Sequence, residues 1–281
     1  MPPTLDDTWA RVEWAHRQLI RLDELVLPFL RSDPYLVRDE VNSEGTEQVI
    51  SAEQPQPVPA DVPFVFGDLV HSLHSALDYV VCSLVESVGQ PIAKSHAFPI
   101  FDTPGQFGLH APNMLRHVPN EAVKFIESMQ PYQYVGGAQE QAPTVDHAPA
   151  FVERMPLMRL YRLSIEEKHH SLLLTTSVMS LAGTYIGHNR VGQEPGGIGF
   201  RVSPTHDKVQ FVIRLDPANP NEHFDKRFAA KVSLVKEGPD GMAIENLARM
   251  LYNEVAHHVL AGIRRLNLIP LSRPRDLPFV D

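Results

Sequence analysis

A single cysteine, Cys82, leaves this 281-residue chain without an internal disulfide. Its stability must come from its core, and a reducing, cytoplasmic setting is expected. Positive charge is also short: 25 Lys and Arg stand against 34 Asp and Glu, for a net charge of −9. Phosphate contacts need Lys and Arg, so broad, charge-driven binding to DNA or RNA is not expected. Arg264, Arg265, Arg273 and Arg275 gather near the end of the chain and read as a solvated, Pro-broken tail. Apolar runs are only a few residues long, so no membrane span is expected. The acidic start MPPTLDDTWARVEW lacks the basic-then-apolar pattern of a secretory signal. There is no GxGxxG, Walker, GxSxG or HExxH pattern, so no cofactor is implied and no dedicated metal set is assigned.

What remains is an ordinary globular composition, 43% apolar and 21% charged, with 14 histidines. The chain is long enough to bury a sizeable core. Leu5 to Leu30 predicts a helix, because Trp9, Val12, Leu19, Leu22, Val26 and Leu30 fall on one face behind Asp6, Asp7 and Thr8. YLVRDEV and EQVISAE, joined by NSEGT, predict a hairpin, and QPQPVPADVP an extended linker. A helix from Phe66 to Val88 follows, capped by Gly89. HAFPIFDTPGQFGLHAPN reads as loop. Pro119 opens a short helix at its first position, with Val123, Ile126 and Met129 inward. PYQYVGGAQEQAPTVDHAPA reads as a long surface loop. Pro156 opens another helix, through His170.

Four extended segments come next: SLLLTTSVMSL, GIGFRVS, DKVQFVIRL and AAKVSLVKE. Val209, Phe211 and Ile213 alternate with polar neighbours, as in a half-buried strand. GHNRVGQEPGG and DPANPNEHFDKR read as the connections. Met242 to Leu268 predicts a last long helix with Ile244, Leu247, Leu251, Val255, Val259 and Ile263 inward. The order predicts one α+β domain over 1–281. An antiparallel helical bundle has a three- to five-stranded antiparallel sheet packed beside it. Residues 31–63 form a hairpin and linker insertion, 172–237 a strand-rich region and 269–281 an extended tail.

The chemistry sits on FGDLVHSLHSALDYVVCSLVES. At about 100° per residue, Leu69, Leu73, Leu77, Val80, Val81, Leu84 and Val88 share the core face. His71, His74, Ser75, Asp78 and Cys82 lie together beside it, at steps of three and four. A neutral imidazole removes protons near pH 7, and a carboxylate orients it and stabilises its cation. The same groups offer N, N and O to a divalent ion. The structural reading is that they hydrogen-bond to a neighbouring helix or to water. Cys82 reads as a packing residue. A second cluster, Glu166, Glu167, Lys168, His169 and His170, closes a helix, where cations suit the dipole. In the functional reading, Lys168 or His169 joins the strip. His257 and His258 flank core valines and read as structural.

The segments GDLVHSLHSALDYVV, FPIF, QPY and LSIEEKHHSLL resemble, in order and spacing over Gly67 to Leu174, an uncharacterised bacterial protein family. Its members read G-D-x-L-H-N-L-R-S-A-L-D-H, then F-P-I, Q-P-Y and a D-K-H-R segment. The R-S-A-L-D-H portion is similar to the R-x4-H signature of HEPN helical-bundle proteins. In an active HEPN RNase the Arg holds phosphate and the His works on the RNA 2′-hydroxyl. Here His74 and Tyr79 occupy those two positions, while His71, Asp78, Lys168 and His169 match the wider pattern. The resemblance implies a helical core and weakens RNA cleavage. The expected function is binding or assembly by a soluble bacterial protein, with a homo-oligomer compatible with that role. The alternatives are a hydrolase or metal-independent RNase using His71, His74 and Asp78 with Lys168 and His169, and a divalent-metal-binding protein.

Overall fold

The structure is a computed structural model that describes residues 5–32, 34, 36–53, 56–133, 155–169, 174–186, 198–202, 208–214, 223–234, 241–269 and 278–280. It is α+β. Met1–Leu22, Phe64–Ser171 and Asn246–Asp281 make one compact unit, and Asp23–Pro63 with Leu172–Glu245 make the other. The first is helical and the second carries the strands.

Helix α1 (Leu5–Arg31) buries Trp9, Val12, Leu19, Leu22 and Val26, while Leu30 is half-buried and Phe29 is buried instead. Helix α2 (Asp61–Ser87) starts earlier than Phe66, inside the expected linker. Its third residue, Pro63, sits where helix N–H groups have no partner anyway. The extra turn pays for itself by burying Val62 in line with Phe66 and Leu69. The helix ends in a Schellman motif. Gly89 takes φ +71°, its N–H reaches Glu86 O at 2.8 Å, and Gln90 N–H reaches Val85 O at 3.3 Å. Val88 therefore leaves the core face and is 48% exposed, unlike the six other apolar positions of its stripe.

The segment read as loop contains helix α3 (Pro104–Met114). Thr103 caps it through Gln106 N–H and Pro104 occupies the first turn, which outweighs two glycines and Pro112. Phe107 and Ala111, four apart, are its buried anchors. Helix α4 (Asn120–Ser128) has Pro119 as its N-cap rather than its first residue. It buries Ile126 and Ala122, with Val123 and Met129 half-buried. Helix α5 (Pro156–His169) lies against α2 in antiparallel register. Tyr161 stacks on His74, and Glu167 approaches Gly67 so closely that a Cβ there would lie 3.2 Å from its Cγ.

The last helical run is not a uniform α-helix. Helix α6 (Ile244–Asn253) passes into a π-helical segment (Glu254–Leu260) and then helix α7 (Ala261–Arg265). Its buried residues step by four from Leu247 to Ile263. Such steps drift by about 40° each around an α-helix, and the wider π turn takes up the drift so that all six expected positions stay buried.

In the strand unit, β1 (Leu36–Val41), β2 (Glu47–Glu53), β5 (Lys208–Arg214) and β4 (Ile198–Val202) form an antiparallel sheet in the order β1-β2-β5-β4. Asn42 closes the β1–β2 turn by accepting from Thr46 and Glu47 N–H, with Gly45 at φ +67°. β3 (Leu174–Ile186) pairs with β6 (His223–Leu234). β6 begins inside the expected connection DPANPNEHFDKR. The 13-residue β3 gives it partners, with Phe224 in register with Tyr185 and Phe228 with Leu181. The GHNRVGQEPGG connection, most of the 131–150 loop, His170, Arg273 and Arg275 lie outside the described residues.

Candidate functional site

Helix α2, the FPIF segment and Gln130 meet in space. Asp78 Oδ1, on α2, accepts from the Phe98 N–H at 2.9 Å. Gln130, at the end of α4 and fully buried, takes the other side of the same FPIF backbone. Its Nε2 donates to Pro99 O at 2.8 Å and Ile126 O at 3.0 Å, and its Oε1 accepts from Phe101 N–H at 3.0 Å. FPIF has no regular secondary structure, so its main-chain polar groups need such partners. Just upstream, His96 Nδ1 accepts from Ala93 N–H at 3.0 Å.

This pinned segment forms one wall of a cavity of about 510 Å³, a size suited to a small molecule. α2 contributes His74 and Asp78, α3 contributes Leu109, His110, Asn113 and Met114, and α5 contributes Tyr161. His74 Nδ1 lies 3.7 Å from Asp78 Oδ2, with the two side chains 17% and 32% exposed. That separation is too long for a direct hydrogen bond but short enough for a carboxylate to support an imidazolium. The His74 ring lies roughly parallel to Tyr161, with centroids 6.4 Å apart, and His110 stacks on Phe101 at 5.6 Å. Among the described residues that line it, Asp78 is the one carboxylate and none is Lys or Arg.

His71 is exposed and is not part of the cavity wall. Lys168 and His169 end α5 at the level of Gly67, roughly 10 Å along α2 from His74 at 1.5 Å per residue; their side chains lie outside the described residues. The two R-x4-H positions meet different helices. His74 packs on Tyr161 of α5, whereas Tyr79 receives Arg11 of α1, with Nη2 at 3.4 Å from its hydroxyl and the guanidinium 5.5 Å from its ring centroid. Cys82 is buried; burial, with the Asp78 charge adding to it, pushes its thiol up and makes it a poor nucleophile. Among the described residues, no group of three or more His, Cys, Asp or Glu is placed to hold a metal ion. His257 is half-buried and His258, exposed, sits 2.7 Å from buried Glu254.

Burial pushes His96 below the usual imidazole range; the Arg116 main chain opposes this, and the charges of Arg116 and His117 add to it. The folded state therefore binds its proton less readily than the unfolded chain does. The stability that His96 contributes is complete above about pH 6.5 and is lost as pH falls below that value toward its folded pKa. Urea midpoints should accordingly drop between pH 7 and pH 5. His96→Asn, which keeps an acceptor for Ala93, should flatten part of that slope, and an unchanged slope would rule His96 out as its source.

Sequence reasoning missed Tyr161, His110 and Asn113. The Thr103-Pro104 pair was the available signal for the α3 residues; Tyr161 carries no local signal. No protein-family model, curated protein or solved structure matches this chain.

Proposed function

We propose that the chain is a binding protein with a HEPN-like helical core, working in the cytoplasm. Its His74–Asp78 cavity takes a small planar molecule that is neutral or cationic. The observation that carries this reading is the wall chemistry: Phe98, Phe101, Tyr161 and two imidazoles around Asp78, with no second carboxylate and no Lys or Arg among the described residues. Aromatic faces favour flat or cationic groups, and a half-buried carboxylate favours an N–H donor or a positive charge. The same wall repels a phosphate, which supports binding over RNA cleavage.

Benzamidine, benzamide and benzoate hold ring shape nearly constant while charge runs from positive to negative. Calorimetric titration should rank them in that order, with benzamidine at least tenfold tighter than benzoate. Asp78→Asn retains an oxygen for the Phe98 N–H, and it should compress that spread to threefold or less. Equal binding of the three, or EDTA-resistant RNA cleavage lost in His74→Ala, would defeat the proposal in favour of the acid–base reading of the same pair.

A further inference from the structure

We propose that Asn253 and His257 form a second site, a short groove that reads the backbone of an extended Pro–aromatic–aliphatic peptide, and that this chain's own residues 278–280 are its tethered occupant. Asn253 ends α6, and its amide makes a closed two-bond pair with one residue. Nδ2 donates to Val280 O at 2.7 Å, and Oδ1 accepts from Val280 N–H at 3.2 Å. One turn on, His257 Nε2 lies 3.0 Å from Pro278 O. All three bonds engage main-chain atoms, so they hold any extended segment that presents a carbonyl, a skipped residue and an amide.

Side-chain choice enters through rings. The His257 ring neighbours fully buried Tyr252, 6.1 Å away edge-on, and Phe279, 5.1 Å away. Tyr252 thus helps to fix the imidazole, and an aromatic residue in the middle of the segment packs against it. Pro before the aromatic residue pre-extends the peptide. The groove residues sit on helical backbone and are held in place, whereas Phe279 is 61% exposed and adds little buried area. Such an occupant stays mainly because its tether keeps it at high effective concentration, and a free peptide competes once the contacts of 278–280 are weakened.

The test uses the full chain and the labelled peptide Asp-Leu-Pro-Phe-Val-Asp, the sequence of 276–281. Phe279→Gly with Val280→Pro removes the ring and the N–H of the resident segment while leaving the groove intact. In fluorescence polarisation, the peptide should bind this variant at least tenfold more tightly than the unaltered chain. Adding Asn253→Ala should reverse that gain at least tenfold. Asn253→Asp, which keeps the acceptor and loses the donor, should reverse it partly, and circular dichroism identifies any variant that fails to fold. Binding that is equal in the unaltered and tail-altered chains, absent from a folded tail-altered chain, or indifferent to Asn253 overturns the proposal.

Discussion

Gln130→Leu should destabilise the helical unit by about 3 kcal/mol, because the loss is not one hydrogen bond but the partners of two pieces of buried main chain. The substitution keeps most of the volume and removes both donors and the acceptor. Pro99 O then has no replacement, since Pro99 and Gln130 are both buried, and the N–H of half-buried Phe101 loses its acceptor. Each orphaned group costs about 1–3 kcal/mol. The Ile126 carbonyl suffers least, because it also receives the Met129 N–H. For a unit of this size the thermal midpoint should fall by roughly 6–12 °C. Gln130→Glu separates the two halves of the effect. It keeps an acceptor for Phe101 but sets a carboxylate against two carbonyl oxygens, so the introduced carboxyl titrates above its usual range. Stability in this variant should rise as pH falls toward 5, opposite in sign to the His96 effect. A loss below 1 kcal/mol for the leucine variant would mean that FPIF is held by packing alone. Because Phe98, Ile100 and Phe101 line the cavity, the leucine variant should also weaken benzamidine binding.

The tie between Gln130 and FPIF shows what a sequence can and cannot carry. The core face of α2 was legible because seven apolar positions repeat at threes and fours, and only Val88 failed, where the chain turns at Gly89. The His74–Asp78 pair was legible for the same reason, since spacing alone makes them neighbours. Asp78's partner was not. The Phe98 N–H belongs to a segment without period, 20 residues away, and nothing local says which main-chain group an acid will meet. Helix α3 was hidden by Pro104, Gly105, Gly108 and Pro112, whose density imitates a loop, and with it went the far wall of the cavity. Tyr161 was hidden differently. α5 was read as a helix, but the residue facing His74 is set by its antiparallel register on α2, the register that also sets Glu167 against Gly67. The π segment is a further case: steps of four hinted at drift, yet only packing against neighbours decides whether a helix curves or widens to absorb it.

Gly262 tests that packing directly. It is buried in α7, and a Cβ added there would overlap Cζ and Cε2 of the Phe125 ring and lie 2.9 Å from Cε1. Two effects of opposite sign compete in Gly262→Ala. Helix propensity favours alanine by about 1 kcal/mol. Overpacking costs typically 1–3 kcal/mol, and more where a rigid ring must move bodily. Phe125 sits on α4, whose Ile126 and Ala122 are buried beside it, so its backbone has little room to retreat. Overpacking should win, with a net loss of about 2 kcal/mol and a thermal midpoint lower by roughly 4–8 °C. The sign should invert once the ring is gone. In a Phe125→Leu background the same Gly262→Ala change meets no ring edge, and propensity alone should make it neutral or stabilising by up to about 1 kcal/mol. The double-mutant cycle should therefore show a coupling of about 2 kcal/mol between residues on two different helices. A stabilising Gly262→Ala in the unaltered chain would mean that the half-buried ring simply swings outward, and the close approach of α4 and α7 would then owe nothing to the missing side chain.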